Sequence, residues 1–432
     1  MKFIKFTLAI LFLGQLSYAQ KINKYINDEE VKRIISTLAA DDMMGRNSLQ
    51  PQQIEKSTAF IAGEFKKAGL QPLKGLNTFR QEFPISKMEG FEKAEVIING
   101  QVIPKDKFAF MSDNEEISWN ANIPVVVIGK DENFSANQYM KDSTSKIILV
   151  DMAHEKKFLQ FQSYINRTRV LSKPYPRIMG NILFVMGVNN VDNYAIKIKQ
   201  RKETFMMTNV VGVLPGKSKP DEMVVFSGHY DHLGISKAVE GDSIANGADD
   251  DASGTTAVIA LANYFKKLKN NERTLVFVAF TAEEVGGFGS KYFSSQLDAD
   301  KVTAMFNIEM IGKASKWGIN SAFITGYERS DFGTILQKNL AGTAFTFYPD
   351  PYPKQNLFYR SDNATLARLG VPAHTISTDQ IDTDKLYHSV NDEVESLDIQ
   401  NIVATIRAIA LSSQSIVAGT DAPKRIDKST VK

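Results

Sequence analysis

Residues 274–280, Thr-Leu-Val-Phe-Val-Ala-Phe, form a near-continuous apolar run of strand length. A strand that lacks polar alternation has both faces covered, so helices must pack above and below the sheet it joins. From about Thr208 onward the surroundings repeat one theme of strand, glycine-rich loop and helix. Residues 223–226, 302–308, 321–325 and 372–376 read as further strands. Helices are expected from a Ser253 cap to Lys269, over 331–340, over 361–369 and over 399–416. The pattern predicts an α/β fold, three layers in the order α/β/α around a mostly parallel mixed sheet. In such sheets ligands bind beyond the carboxyl ends of the strands.

The rest of the chain divides by texture. Residues 28–39 and 53–68 read as helices, the second with Ile54, Phe60, Ile61 and Phe65 at near-helical spacing and Gly69 as its stop. Short β-branched runs at 123–128, 146–150 and 181–185 suggest a separate β-rich module inserted at 94–204. The main domain is then split between 20–93 and 205–420, with 421–432 as a polar tail. Lys2 and Lys5, the apolar stretch 6–13 and Ser17-Tyr18-Ala19 before Gln20 read as a cleaved export signal, residues 1–19. That stretch is too short to span about 30 Å of hydrocarbon, so no stable membrane insertion is expected after cleavage. The mature chain is expected in the periplasm or outside the cell. It has no cysteine, so core burial must hold it together there. A formal charge of +2 and the lack of basic clusters with interleaved aromatics give no reason to expect nucleic acid as a partner.

The chemistry is concentrated between Gly228 and His388. His229 follows a strand in Ser-Gly-His-Tyr-Asp-His, where Asp231 is placed to accept its second ring N–H and His232 reads as supporting loop packing. Asp249, Asp250 and Asp251 stand together at a helix start; capping needs fewer acids, and three carboxylates repel unless a cation compensates. Glu283 and Glu284 end the most buried strand, and Glu309 is embedded in an apolar one, where a charge is costly unless paired or metal-bound. Tyr387-His388 precedes Asp392. His229, Asp250, Glu284, Glu309 and His388 are five nitrogen and oxygen donors without a thiolate, a set that suits zinc. Five are too many for one catalytic zinc and about right for two sharing a carboxylate. Glu283 is left as a proton carrier and Tyr387 as a hydroxyl donor to an oxyanion. By contrast His374 reads as a core histidine, His154 as a surface residue, and the aromatic stretch from Phe345 to Tyr359 as a packed loop.

These residues resemble the M28 family of zinc aminopeptidases. The likeness rests on His-Tyr-Asp at 229–231, Gly-Ala-Asp-Asp-Asp-Ala-Ser-Gly at 247–254, Ala-Glu-Glu at 282–284, Asn-Ile-Glu-Met-Ile-Gly at 307–312 and Tyr-His-Ser at 387–389, and extends to Gly45-Arg46, Gly69-Leu70 and Ser361-Asp362. The resemblance implies an exopeptidase acting on peptides, with His229 and Glu309 on one zinc, Glu284 and His388 on the other, and Asp250 bridging. It implies a cis bond at Asp250-Asp251, attack by a metal-bridging hydroxide with Glu283 as general base, and Tyr387 as a carbonyl-polarising residue. Glu309 departs from the family's usual Asp, which changes the reach of that donor. The 94–204 insert resembles, more weakly, the protease-associated module of several members, which shapes substrate access. Glutaminyl cyclases of the same fold, which use a single zinc, and carboxypeptidases are the alternative chemistries.

Overall fold

The computed structural model describes residues 22–139, 143–165, 169–172 and 180–432. The expected export signal lies outside them. Among the described residues, no helix is long and apolar enough to cross a membrane. The chain forms two compact units, Pro84–Met206 and the remainder, Met1–Phe83 with Met207–Lys432.

In the larger unit the apolar run becomes the strand Arg273–Phe280, buried at every position. It pairs in parallel with Lys219–His229, which pairs in parallel with Val302–Ile308, which in turn pairs in parallel with Ala373–Ser377. The sheet is mixed at both ends. Residues 210–214 run antiparallel to Arg273–Phe280, and Ser321–Ile324 runs antiparallel to Ala373–Ser377. Alternate side chains explain why the strands read as continuously apolar. Phe226, Phe277 and Phe306 face a core formed with the helices Asp28–Leu38, Pro51–Ala68, Gly254–Leu268, Phe332–Asn339 and Ile399–Ser412. Val225, Val278 and Met305 face a second core with Phe293 and Leu366, from the helices Phe288–Ser295 and Asn363–Ala367. This is the expected three-layer arrangement, and it leaves the carboxyl ends of four parallel strands side by side.

The smaller unit holds a four-stranded sheet in the order Phe108–Met111, Ile182–Met186, Lys146–Val150, Val125–Ile128. Its first pairing is antiparallel and the others parallel. Ile148 and Phe184 face one core, which includes Phe158 of the helix Glu155–Ile165, and Ile147 and Leu183 face the other.

Several expectations are corrected. The unit boundary falls at 84 rather than 94 because Arg80–Ile98 is one uninterrupted strand, with no break in texture to mark it. Residues 421–432 are not simply a polar tail: Ile426 is buried, and Arg425 donates to the carbonyls of Ala299 and Val302. His154 is buried rather than a surface residue, its Nε2 meeting the Gly129 carbonyl at 3.0 Å. The last helix breaks at Ser413, where Ser412 and Ser413 turn their hydroxyls back onto the carbonyls of Ile409 and Ala410. The aromatic stretch holds a strand, Thr346–Pro349, and Phe345, Phe347, Tyr352 and Phe358 are all buried, so packing is its role. His374 is the core histidine expected, with both ring nitrogens within 2.8 Å of Thr325 O and Ser330 Oγ.

Candidate metal centre

All five candidate ligands meet at the carboxyl ends of the parallel strands. His229 is the last residue of its strand. Glu283 and Glu284 follow Arg273–Phe280 after Ala282, a left-handed residue at φ 61°. Glu309 directly follows Val302–Ile308, and Met310 after it is also left-handed, at φ 51°. Asp250 sits in the irregular turn Ala248–Ser253, and its bond to Asp251 is cis. His388 comes from the loop beyond Ala373–Ser377 with φ 57°. Left-handed backbone at three non-glycine positions costs on the order of 1 kcal/mol each, and it turns carboxylates and imidazole back over the strand ends.

Asp250 lies between the others. Its Oδ1 is 3.1 Å from His229 Nε2, and its Oδ2 is 3.3 Å from His388 Nε2. Donor atoms of His229, Asp250 and Glu309 lie within 4.8 Å of one another. So do those of His232, Asp250 and Glu284, and His388 Nε2 is 3.1 Å from Glu284 Oε2. The sequence reading kept His232 out of the ligand set. In the structure its Nδ1 lies 2.9 Å from Glu284 Oε1, so one glutamate oxygen faces each imidazole. Tyr387 stacks on the His388 ring with centroids 3.9 Å apart, and its hydroxyl lies 3.4 Å from the Arg360 guanidinium.

The supporting groups differ in part from expectation. Asp231 does not accept from His229 through its carboxylate: Nδ1 is 3.1 Å from the Asp231 backbone carbonyl and 3.8 Å from Oδ1. That carboxylate instead accepts the Glu283 backbone N–H at 3.1 Å, fixing the next strand end. Ser253 is no side-chain cap; its hydroxyl donates to the Asp249 carbonyl. Asp392 accepts the N–H groups of Asp249 and Asp250, which orients the Asp250 turn. Asp251 carries a positioning role the sequence did not reveal. Its carboxylate accepts from the N–H groups of His229, Gly254 and Met310, joining three ligand-bearing segments. Arg46 is fully buried and donates to the carbonyls of Leu38, Tyr230, Asn246 and Gly247. Gly45-Arg46 stood out in the sequence as a motif, but nothing local tied it to the strand ends.

The electrostatics describe a site with too much negative charge. Burial pushes Asp231 and Glu309 up to about 7. It raises Glu283 well above the usual carboxylate range, helped by Glu309, Asp362 and Glu284. Burial disfavours charge on His229 and His388 as well, yet the negative charge of the Asp250 carboxylate beside them wins, holding His229 high and His388 at about 10. Two buried donors, His229 Nε2 and Glu309 Oε2, have no hydrogen-bond partner. Imidazole and carboxylate donors, left unpaired in a buried acidic hollow, fit zinc.

Residues 209–412 match the model of peptidase family M28. A probable zinc metalloprotease of Pyrenophora teres f. teres is 36% identical over 110 residues, 25% of this chain and 23% of that protein. Leucine aminopeptidase 1 of Pyrenophora tritici-repentis is 28% identical over 215 residues, covering 46% of this chain and 53% of that one. The matched stretches thus span only about a quarter to a half of these relatives. Among solved structures, BSAP, a zinc aminopeptidase from Bacillus subtilis, superposes with TM-score 0.54 at 15% identity, covering 92% of this chain and 97% of that one. A peptidase M28 precursor from Shewanella amazonensis gives 0.53 at 14%, covering 96% and 99%. The fold is shared across nearly the whole chain, and the matched residues carry every candidate ligand. Residues 209–412, which hold all five candidate ligands, are thus similar to peptidase family M28.

Proposed function

We propose that this chain is an exported zinc aminopeptidase that holds two zinc ions and releases N-terminal residues from peptides. The observation that carries the reading is Asp250, whose two oxygens face different imidazoles, His229 on one side and His388 on the other. His229 and Glu309 would hold one ion, Glu284 and His388 the other, and Asp250 both. When bound, the ions supply Lewis acidity at the scissile carbonyl and acidify the attacking water. The family match and the relatives named as zinc metalloprotease and leucine aminopeptidase support the chemistry.

The chain's own residues supply the rest. Glu283 lines the same cleft as Asp250, Glu284, Glu309 and His388. Its backbone is fixed by Asp231, and its carboxyl holds a proton readily for the reason given above. It therefore suits a carrier that takes a proton from water and delivers it to the leaving nitrogen. Tyr387 lies beside His388 on the cleft wall, and burial raises its hydroxyl, which stays protonated as a donor to the carbonyl oxygen.

The test uses aminoacyl 4-nitroanilides and their N-acetylated forms, with and without chelator. Free-amine substrates should turn over, blocked ones should not, and chelation should abolish the rate. Glu283→Gln should lose about 10²–10⁴-fold in kcat while keeping its zinc. Equal cleavage of blocked substrates, or a fully active Glu283→Gln, would refute the reading. For export, protein recovered from periplasm or medium should begin at Gln20.

A further inference from the structure

The cleft that holds the candidate metal centre has a second acidic feature, one that the proposed chemistry does not use. Asp379 lies just past Ala373–Ser377 and lines this cleft together with Phe323 and Ile381. It is only 4% exposed, and its Oδ1 has no hydrogen-bond partner. Behind it stand two more acids: donor atoms of Asp249, Asp379 and Asp384 lie within 4.8 Å of one another. A nearby ammonium, Lys313 Nζ, is 2.6 Å from Asp384 Oδ2 and 3.3 Å from Asp249 Oδ2. Lys313 thus faces three carboxyls, and Asp379, hydrogen-bonded to Asp384 on one side, keeps its Oδ1 unpartnered toward the cleft. Burial and the Asp249 and Asp384 charges hold it up at about 8, as expected where positive charge is short.

Building on the aminopeptidase reading, we infer that Asp379 makes this cleft select an N-terminal residue with a cationic side chain, lysine or arginine. Phe323 and Ile381 offer apolar surface for the aliphatic stem, and Asp379 offers a buried acceptor for its charged end. Arg360 also lines the cleft, but it is exposed, and solvent screens its opposing charge.

The experiment compares kcat/KM of the zinc-loaded protein on lysyl, arginyl, leucyl and glutamyl 4-nitroanilides. Lysyl and arginyl substrates should exceed leucyl by at least about tenfold, with glutamyl slowest. Asp379→Asn should remove most of that preference while leaving leucyl turnover within about threefold. A second measurement needs no variant: lysinamide should inhibit the wild type at least about ten times more tightly than norleucinamide, which lacks only the side-chain amine. A wild type that prefers leucine, equal inhibition by the two amides, or an Asp379→Asn loss spread evenly over all substrates would overturn the inference while leaving the aminopeptidase reading intact. Failure to cleave any of the four would overturn both.

Discussion

Arg46→Met removes a residue that ties four backbone carbonyls around the candidate metal centre from one buried point. Its guanidinium bonds Tyr230 O at 2.7 Å, Leu38 O at 2.7 Å, Asn246 O at 2.5 Å and Gly247 O at 2.9 Å. Tyr230 follows His229, and Gly247 opens the turn that carries Asp250. Methionine fills similar space but donates none of these bonds. Gly247 O keeps the Ala252 N–H, so three buried carbonyls are left unsatisfied; at about 1 kcal/mol each, the low end of the usual penalty, they amount to about 3 kcal/mol. Relief from burying a guanidinium, whose charge burial disfavours, offsets part of this. Loss of a cation facing Asp392, Asp231 and Asp250 acts in the opposite sense. We therefore expect about 3 kcal/mol lost in urea denaturation of the zinc-free protein, or roughly 4 °C in Tm. Zinc affinity, measured by competition with a chromophoric chelator, should fall about 10–100-fold, because the His229 and Asp250 loops lose their common anchor. Arg46→Lys should recover only part, since a point ammonium cannot span four carbonyls. A loss under about 1 kcal/mol with unchanged zinc affinity would refute the reasoning.

Three further outcomes are expected. In zinc-free protein, Asp231, Asp249 and Glu309 sit at about 7 in the fold, against roughly 4 when unfolded. The folded state binds these protons more tightly, so their stabilisation is complete below about pH 4 and is lost as pH rises through 7. The Tm should drop by roughly 5 °C between pH 5 and 8, and saturating zinc should flatten that slope; a rising Tm would contradict the assignment. Asp392→Ala frees the N–H groups of Asp249 and Asp250, and zinc affinity should weaken about 10–100-fold; calorimetric titration with an unchanged Kd would exclude the role. At Gly254 a Cβ would stand 2.1 Å from Ile308 O and 2.5 Å from the Asp251 carboxylate. Gly254→Ala should therefore cost about 3 kcal/mol on steric grounds alone, read by denaturant titration; a neutral substitution would mean that the turn can move.

Local sequence revealed what local physics determines. The strand Val302–Ile308 matches its expected bounds, because an unbroken apolar run between polar loops has few other solutions. His229, Glu284 and Glu309 stand out because each puts a charge or imidazole at the end of an apolar run, and Asp250 because it lies in a run of three acids. What was missed depends on contacts between distant segments. Asp251 looks like any acid in a triplet until its bonds to His229, Gly254 and Met310 are seen. Asp231 was placed on the wrong partner because spacing sets proximity and not which oxygen of a residue is offered. Ser321–Ile324 carries no sign of direction, so its antiparallel pairing with Ala373–Ser377 could not be read. Asp379 went unremarked because only the folded cleft brings it beside Asp249 and Asp384.

The central claim is that one carboxylate is shared by two cations, and metal counting tests it directly. Zinc per chain should be determined by mass spectrometry on dialysed wild type and on Asp250→Ala, with folding of both verified by circular dichroism. The account predicts two ions in the wild type and fewer than one in the variant, since neither group keeps enough donors without Asp250. A wild type holding a single ion, or an Asp250→Ala protein that retains both, would contradict it.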